Sequence, residues 1–300
     1  PNALLAIPAI LLESVAGECS VTLSAPAGRI AQTAAEWPHW LAAPAITSTP
    51  QQRPSRPETL IERAWIGRVN AALRDIEAGR VDKVVLARSR TIEADDPFPA
   101  AAVLGQLLVQ QPASVVYAYG DGEHSFVGAT PERLVRLAGN RADADALAGT
   151  SWPGSLALSE TKNRHEQALV VQAVCAALAP FSDSPPIAEP AREHAAGQLR
   201  HLRSRISATV RPGTTLFDLV RALHPTPAIG GFPVAAAQAW LAEHHEQRSG
   251  WYSGGFGLLT PDGDGEFSVA LRSALLAGNT VEVQAGAGIV AGSDAQHELA

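Results

Sequence analysis

The chain has 300 residues, 46% of them hydrophobic, and a formal net charge of −7. This is a globular composition, and the length suffices for one large domain or two small ones. The negative charge and the lack of a basic block argue against a nucleic-acid groove. No run of 18 uncharged apolar residues predicts a membrane span. Two cysteines in so long a chain argue against a disulfide framework and favour a reducing cytoplasm.

The hydrophobic pattern predicts helices and strands along the whole chain. Residues 1–43 alternate weakly and predict strands, and residues 44–58 predict a solvated loop. Helices are predicted for 57–79, 97–111, 159–179, 214–223 and 234–245. Strands are predicted for 81–90, 114–119, 125–129, 133–137, 199–210, 251–260, 265–276 and 280–285. Strands in hairpin-like groups separated by long helices indicate an α+β fold with large antiparallel sheets, in which 1–300 form a single domain.

Two charged residues stand at the ends of predicted strands. Lys83 opens the apolar run KVVLAR, and Glu132 lies in the segment GATPERL, 49 residues further on. A buried cation is costly unless something uses it. A lysine and a glutamate at strand edges are suited to act as an acid–base pair. The structural alternative is a lysine that extends its ammonium group to solvent and a glutamate in an ordinary turn.

The segment KNRHEQALVV (162–171) begins like the helix of a zinc protease. Such a helix needs a second histidine four residues after the first, and that position holds Leu169. The carboxylate of Glu166 remains available for magnesium, which takes one or two carboxylates together with water and substrate oxygens. The alternative for Glu166 is a place on a solvated helix face.

Three further segments have unusual chemistry for their context. The glycines of GAGIVAGSD (286–294) either bring backbone N–H groups close to a small carboxylate or form a tight turn between strands. The segment HPTPAIGGFP (224–233) predicts a rigid loop, which either lines a pocket or is structural. Arg272, within an apolar strand, needs a partner, either a ligand carboxylate or an internal Asp or Glu.

Taken in order, these segments resemble the chorismate-utilising enzymes. The resemblance covers about residues 57–300 and rests on nine motifs: KVVLAR, FxGATPERL, LAGT, KNRHE, HLRS, LHPTPAIGGFP, GWYSG, ALRSA and GAGIVxGSD. Each motif alone is weak, but nine in the family's order are specific. The resemblance implies a large α+β fold, a magnesium-dependent site and chorismate as the substrate.

Three positions indicate which member the chain resembles. Members that use water as nucleophile have a lysine where this chain has Lys83, whereas aminating members have glutamine. Ala148 stands where aminodeoxychorismate synthases have a nucleophilic lysine. Ala228 aligns with isochorismate synthases, whereas salicylate synthases tend to have threonine there. The resemblance therefore implies an isochorismate synthase. The alternatives are a salicylate synthase and an inactive chorismate-binding protein.

The resemblance also implies a role for each site residue. A neutral Lys83 would deprotonate the water that attacks C2 of chorismate, and a protonated Glu132 would donate to the departing C4 hydroxyl. These roles require the pKa of the lysine to fall and that of the glutamate to rise. Glu166 and Glu298 would be the metal ligands. The residues expected to bind the substrate are Gly149, Thr150, His201, Ala228, Tyr252, Arg272, Gly286 and Gly288.

The chain departs from the family pattern in three places. A closing glutamate-rich helix is expected, of which only Glu298 is present, so that helix is expected to be truncated. The segment after LAGT is short and has Trp152 at an arginine-like position. The strands usual before the first long helix are hard to identify within residues 1–56. A cytoplasmic monomer that makes a precursor of menaquinone or of a siderophore remains the expectation.

Overall fold

The computed structural model describes residues 6–15, 18–26, 28–41, 59–152, 157–246, 248 and 250–299. The chain divides into two compact units, Pro1–Thr47 and Ser48–Ala300. None of the described helices combines the length and hydropathy that a membrane crossing requires.

The first unit contains a hairpin and a helix. Strands β1 (Ile10–Val15) and β2 (Glu18–Leu23) pair antiparallel, and helix α1 (Ile30–Leu41) follows. The prediction of strands throughout residues 1–43 is therefore wrong for α1. The physical reason is composition, because the first half of this segment, IAQTAAE, is rich in alanine, glutamine and glutamate, which favour a helix.

The second unit is larger and contains the remaining described elements. Its helices are α2 (Thr59–Glu77), α3 (Ala100–Gln110), α4 (Thr161–Leu178), α5 (Leu216–Leu223) and α6 (Val234–Glu243). Its strands are β3 (Lys83–Glu93), β4 (Val115–Gly120), β5 (His124–Thr130), β6 (Arg133–Ala138), β7 (Arg141–Ser151), β8 (Ile187–Ala188), β9 (Arg192–Ala196), β10 (Leu199–Thr209), β11 (Gly231–Phe232), β12 (Gly255–Leu259), β13 (Gly265–Val269), β14 (Ser273–Ala277) and β15 (Thr280–Val290). Each predicted helix of this unit is present.

These strands form two antiparallel sheets. The six-stranded sheet has the order β11–β3–β15–β14–β5–β4. The seven-stranded sheet has the order β12–β13–β6–β7–β10–β8, with β9 also paired to β10. Helices α4 and α5 pack on the seven-stranded sheet through a core that includes Leu134, Val170 and Leu219. Helices α2 and α6 pack beside β3 and β15 through Trp65, Val69 and Trp240. The result is the predicted α+β architecture with large antiparallel sheets.

Two of the places where the chain crosses from one sheet to the other are neighbours. Glu132 lies in the first crossing, between β5 and β6, and Arg272 lies in the second, between β13 and β14. The crossings are hydrogen-bonded, because the Ala129 N–H donates to the Arg272 carbonyl at 3.3 Å and the Val269 N–H donates to the Glu132 carbonyl at 3.1 Å. The prediction of one continuous strand over 265–276 is therefore wrong, since its halves belong to different sheets. Glu132 and Arg272, two of the predicted site residues, therefore both lie at this junction between the sheets.

Candidate active site

A buried ion pair forms the centre of the candidate site. Lys83 opens β3 between two partner strands, opposite Phe232 of β11 and Val290 of β15. Its Nζ donates to Oε1 of Glu166 on α4 at 2.8 Å. The lysine is 0% exposed and the glutamate 8%. Neither a solvent-exposed lysine at a strand end nor a solvated helix face for Glu166 describes these two residues, so both structural alternatives are wrong.

Two glycines of β15 leave room for the site side chains. A Cβ on Gly288 would overlap Oε1 of Glu166 and lie 2.9 Å from Cε of Lys83. A Cβ on Gly286 would lie 2.8 Å from the hydroxyl of Tyr252. Positions two apart in a strand share one face of the sheet, so the ion pair and the tyrosine hydroxyl lie on the same face of β15. The alternative of a tight turn is wrong for 286–290, which continue the strand.

Glu132 is the second buried acid of the site. It is 3% exposed, and its Oε1 accepts a hydrogen bond from the Thr226 hydroxyl at 3.2 Å. Burial raises the pKa of Glu132 to about 7 against the opposing effects of the Thr226 hydrogen bond and the positive charge of Lys83, while the charge of Asp145 raises it further. The direction of this shift is the one that a general acid requires.

A neutral histidine joins Arg272 to the seven-stranded sheet. Arg272 donates from Nη2 to Nε2 of His201 and from Nη1 to the Ala196 carbonyl at 3.0 Å. Because a guanidinium group only donates, Nε2 must accept and the ring hydrogen lies on Nδ1, 3.0 Å from the Gly149 carbonyl and 3.2 Å from the Thr150 hydroxyl. Burial, and then the charge of Arg272, lower the pKa of His201 to about 4. These partners replace the internal Asp or Glu that was the structural alternative for Arg272.

The remaining predicted substrate-binding residues are Tyr252 and Ala228. Tyr252 is buried, and burial raises the pKa of its hydroxyl to about 12, partly opposed by the charge of Arg248 and reinforced by that of Glu132. The phenol is therefore a hydrogen-bond donor at neutral pH. Ala228 is half-buried and packs against the core of the seven-stranded sheet. Its predicted role in substrate choice stays a prediction.

One predicted metal ligand belongs to helix α4 and the other is bound to it. Glu166 belongs to α4, and Glu298 is ion-paired at 2.5 Å with Lys162, four residues before Glu166 and on the same helix face. Within the described ranges, no group of three or more His, Cys, Asp or Glu side chains is placed to hold a metal ion. Magnesium needs only one or two carboxylates when water and substrate supply its other oxygens. Glu166 and Glu298 supply that number of carboxylates, and their assignment as metal ligands stays a prediction.

A cleft of about 620 Å³ lies elsewhere, between α4 and strands β8 to β10. Its walls include Arg164, Gln167, Glu189 and Glu193. None of the predicted site residues lines it. Buried titratable groups with shifted pKa values are the stronger mark of a catalytic site. We therefore identify the cluster around Lys83, and not this cleft, as the candidate active site.

Sequence reasoning missed two residues that act on Glu132. Thr226, which donates to Glu132, lies between two prolines in the loop 224–233. Asp145 is 4% exposed in β7 and pairs with Arg203 of β10 at 2.7 Å. A small polar residue in a rigid loop and an acid in an alternating alanine strand were the available signals, but neither is specific.

The comparisons with known proteins identify the family of the chain. The family model described as "Chorismate binding enzyme" matches residues 1–300, and the chain belongs to this family. It is 37% identical over 246 residues to "Salicylate biosynthesis isochorismate synthase" of Pseudomonas aeruginosa, covering 79% of this chain and 52% of that protein. It is 33% identical over 245 residues to "Isochorismate synthase MenF" of Escherichia coli, covering 78% of this chain and 56% of that protein.

Solved structures show the same fold. The menaquinone-specific isochorismate synthase MenF of Escherichia coli aligns with a TM-score of 0.82 at 28% identity, covering 97% of this chain and 71% of that chain. Anthranilate synthase component I of Streptococcus pneumoniae aligns with a TM-score of 0.77 at 23% identity, covering 94% of this chain and 67% of that chain, and supports the fold alone. The chain spans about half the length of the first curated relatives that it matches.

Proposed function

We propose that this chain carries the active site of an isochorismate synthase. The reaction adds water at C2 of chorismate and expels the C4 hydroxyl, with a shift of the ring double bonds. The observation that carries the proposal is the buried pair of Lys83 and Glu166, close enough to Glu132 for the charge of Lys83 to act on its carboxyl. The relatives named isochorismate synthase support the same activity.

Glu132 is the proposed general acid. Its raised pKa, about 7, leaves part of the Glu132 population protonated at neutral pH, as a general acid requires. Its proton goes to the C4 hydroxyl, which then leaves as water. The Thr226 hydroxyl, 3.2 Å from Oε1, holds the carboxyl in one orientation during this transfer. General acid catalysis of this kind contributes about 10²–10⁴-fold to a rate.

Lys83 is the proposed general base. In the structure it donates to the carboxylate of Glu166 at 2.8 Å, which is the arrangement of an ammonium ion with its counter-ion. The amine must lose this proton before it can accept one from water. In this proposal Glu166 orients the amino group of Lys83, to which it is hydrogen-bonded.

Arg272 and Tyr252 are proposed to hold the enolpyruvyl carboxylate. A guanidinium group and a protonated phenol both donate to a carboxylate. The neutral His201 accepts from Arg272 and leaves the positive charge of the arginine undiminished. Glu166 and Glu298 would hold magnesium, which when bound supplies positive charge to the ring carboxylate of the substrate. A cytoplasmic location, a monomeric state and the pathway of the product stay predictions.

Product analysis tests this proposal. Purified protein is incubated with chorismate and magnesium in the presence of ammonium ions, and the products are separated by chromatography. We expect isochorismate and no aminated product. Salicylate as the main product would indicate that the site goes on to eliminate pyruvate. Anthranilate or aminodeoxychorismate would overturn the proposal, because either requires ammonia as the nucleophile.

A further inference from the structure

The edge of β3 beyond its short partner strand is completed by side chains. Strand β11 pairs only with Lys83 and Val84. One residue further, the Val85 carbonyl accepts from Nη2 of Arg248 at 2.9 Å. The N–H of Ala87 then donates to Oε1 of Glu246 at 2.6 Å. Side chains from the segment after α6 therefore satisfy the backbone groups that a longer β11 would have paired.

Arg248 also contacts the loop that carries Tyr252. Its Nη1 donates to the hydroxyl of Ser253 at 2.9 Å. Ser253 has a backbone φ of 62°, a left-handed conformation that is costly for a residue other than glycine. Its carbonyl accepts from Nε2 of His224 at 2.9 Å, and its N–H donates to the Ala270 carbonyl at 2.8 Å. Such a conformation persists only when surrounding contacts determine it.

The planar fork of Arg248 thus bridges the strand of the proposed base and the residue next to the proposed substrate ligand. We propose that Arg248 is a positioning residue, which holds Ser253 against β3 and thereby fixes the Tyr252 hydroxyl beside Gly286. Two donors at a fixed spacing are needed, because Val85 and Ser253 are bonded through different nitrogens. The expected kinetic effects rest on the proposed function, whereas the expected placement of Tyr252 does not.

The kinetic test compares Arg248→Met with Tyr252→Phe and the double variant. Each single change is expected to raise KM for chorismate about tenfold with a smaller effect on kcat, since a lost hydrogen bond to a charged group is of this size. The double variant is expected to match Tyr252→Phe alone, because both changes remove one contact. Arg221→Met is the matched control, since Arg221 is exposed on α5. If KM of the double variant rose by the product of the two single increases, the proposal would be overturned.

A second measurement is independent of activity. The chain has three tyrosines, so incorporation of 3-fluorotyrosine gives three ¹⁹F resonances, and Tyr252→Phe identifies that of Tyr252. We expect Arg248→Met and Arg248→Lys to displace or broaden this resonance, and the control Arg221→Met to leave it in place. An unmoved Tyr252 resonance in either variant, with circular dichroism showing a folded chain, would refute the positioning role. If the wild-type protein did not convert chorismate, the proposed function would be refuted, but the ¹⁹F result on the placement of Tyr252 would still hold.

Discussion

The pKa of Glu132 makes a prediction about stability that does not depend on catalysis. The folded chain holds this carboxyl at a pKa of about 7, against 4.5 for an ordinary glutamate. A raised pKa means that the folded state binds the proton more tightly than the unfolded state. The associated stability is fully present below pH 4.5 and is lost as the pH rises through 7. Glu132→Gln removes this dependence, because an amide does not ionise and its oxygen still accepts from Thr226.

The size of the effect follows from the shift. The whole interval from 4.5 to about 7 corresponds to about 3 kcal/mol, since one pKa unit is about 1.36 kcal/mol. Between about pH 5 and about pH 8.5 the wild type is expected to lose most of this free energy, about 2–3 kcal/mol, relative to Glu132→Gln. Other titrating groups are common to both proteins and cancel in the comparison. Glu132 is buried, so solvent screening does not reduce the figure.

Urea unfolding at a series of pH values measures this difference. The free energies of unfolding of the wild type and of Glu132→Gln are compared at each pH, with Glu266→Gln as a control at a partly exposed site. The difference is expected to grow in favour of Glu132→Gln as the pH rises and to level off above about pH 8. A difference that stays constant with pH would show that Glu132 has an ordinary pKa, and would remove the physical basis for its role as an acid.

Three further predictions concern the ion pair. Lys83→Ala is expected to lower kcat by about 10²–10⁴-fold. The double variant with Glu132→Gln is expected to lose less activity than the product of the two single losses. Near-normal turnover by a folded Lys83→Ala variant would exclude Lys83 as the general base. Gly288→Ala is expected to reduce kcat by at least about tenfold, because the new methyl group displaces Lys83 and Glu166. The control Gly105→Ala, where a Cβ has no atom within 4 Å, is expected to keep full activity. Equal kcat values for the two variants would contradict this expectation. Glu166→Gln is expected to weaken the response of turnover to magnesium in a titration, and an unchanged response would show that Glu166 is not a magnesium ligand.

Charged residues within apolar runs were the part of the site that sequence reasoning could locate. Lys83 and Glu132 stand out because burial of a charge is costly, so each needs a structural or chemical reason. The structure brings Lys83, Glu132 and Glu166 together from β3, the junction of the sheets and α4. The spacing of these residues along the chain does not by itself predict that they are close in space. The family resemblance, which rests on the order of the motifs, led to that prediction.

Elements with a weak hydrophobic signal were the part of the fold that could not be predicted. Strand β7 was not predicted, although Ala142, Ala144, Ala146 and Ala148 alternate and are all buried. Alanine has a low strand propensity, and only pairing with β6 and β10 makes this segment a strand. The break at Arg272 was missed for a related reason, since no local signal tells which sheet each half of 265–276 joins.

The direct test of the central claim, attack by water beside Lys83, is the reaction in ¹⁸O-labelled water. Chorismate is converted by the purified protein with magnesium, and the isochorismate is analysed by mass spectrometry before equilibrium is reached. We predict one ¹⁸O atom per molecule of isochorismate, located at the C2 hydroxyl, and no incorporation of label in the folded Lys83→Ala variant over the same time. Isochorismate formed without label would mean that the C4 hydroxyl is transferred within the molecule, and would contradict the account.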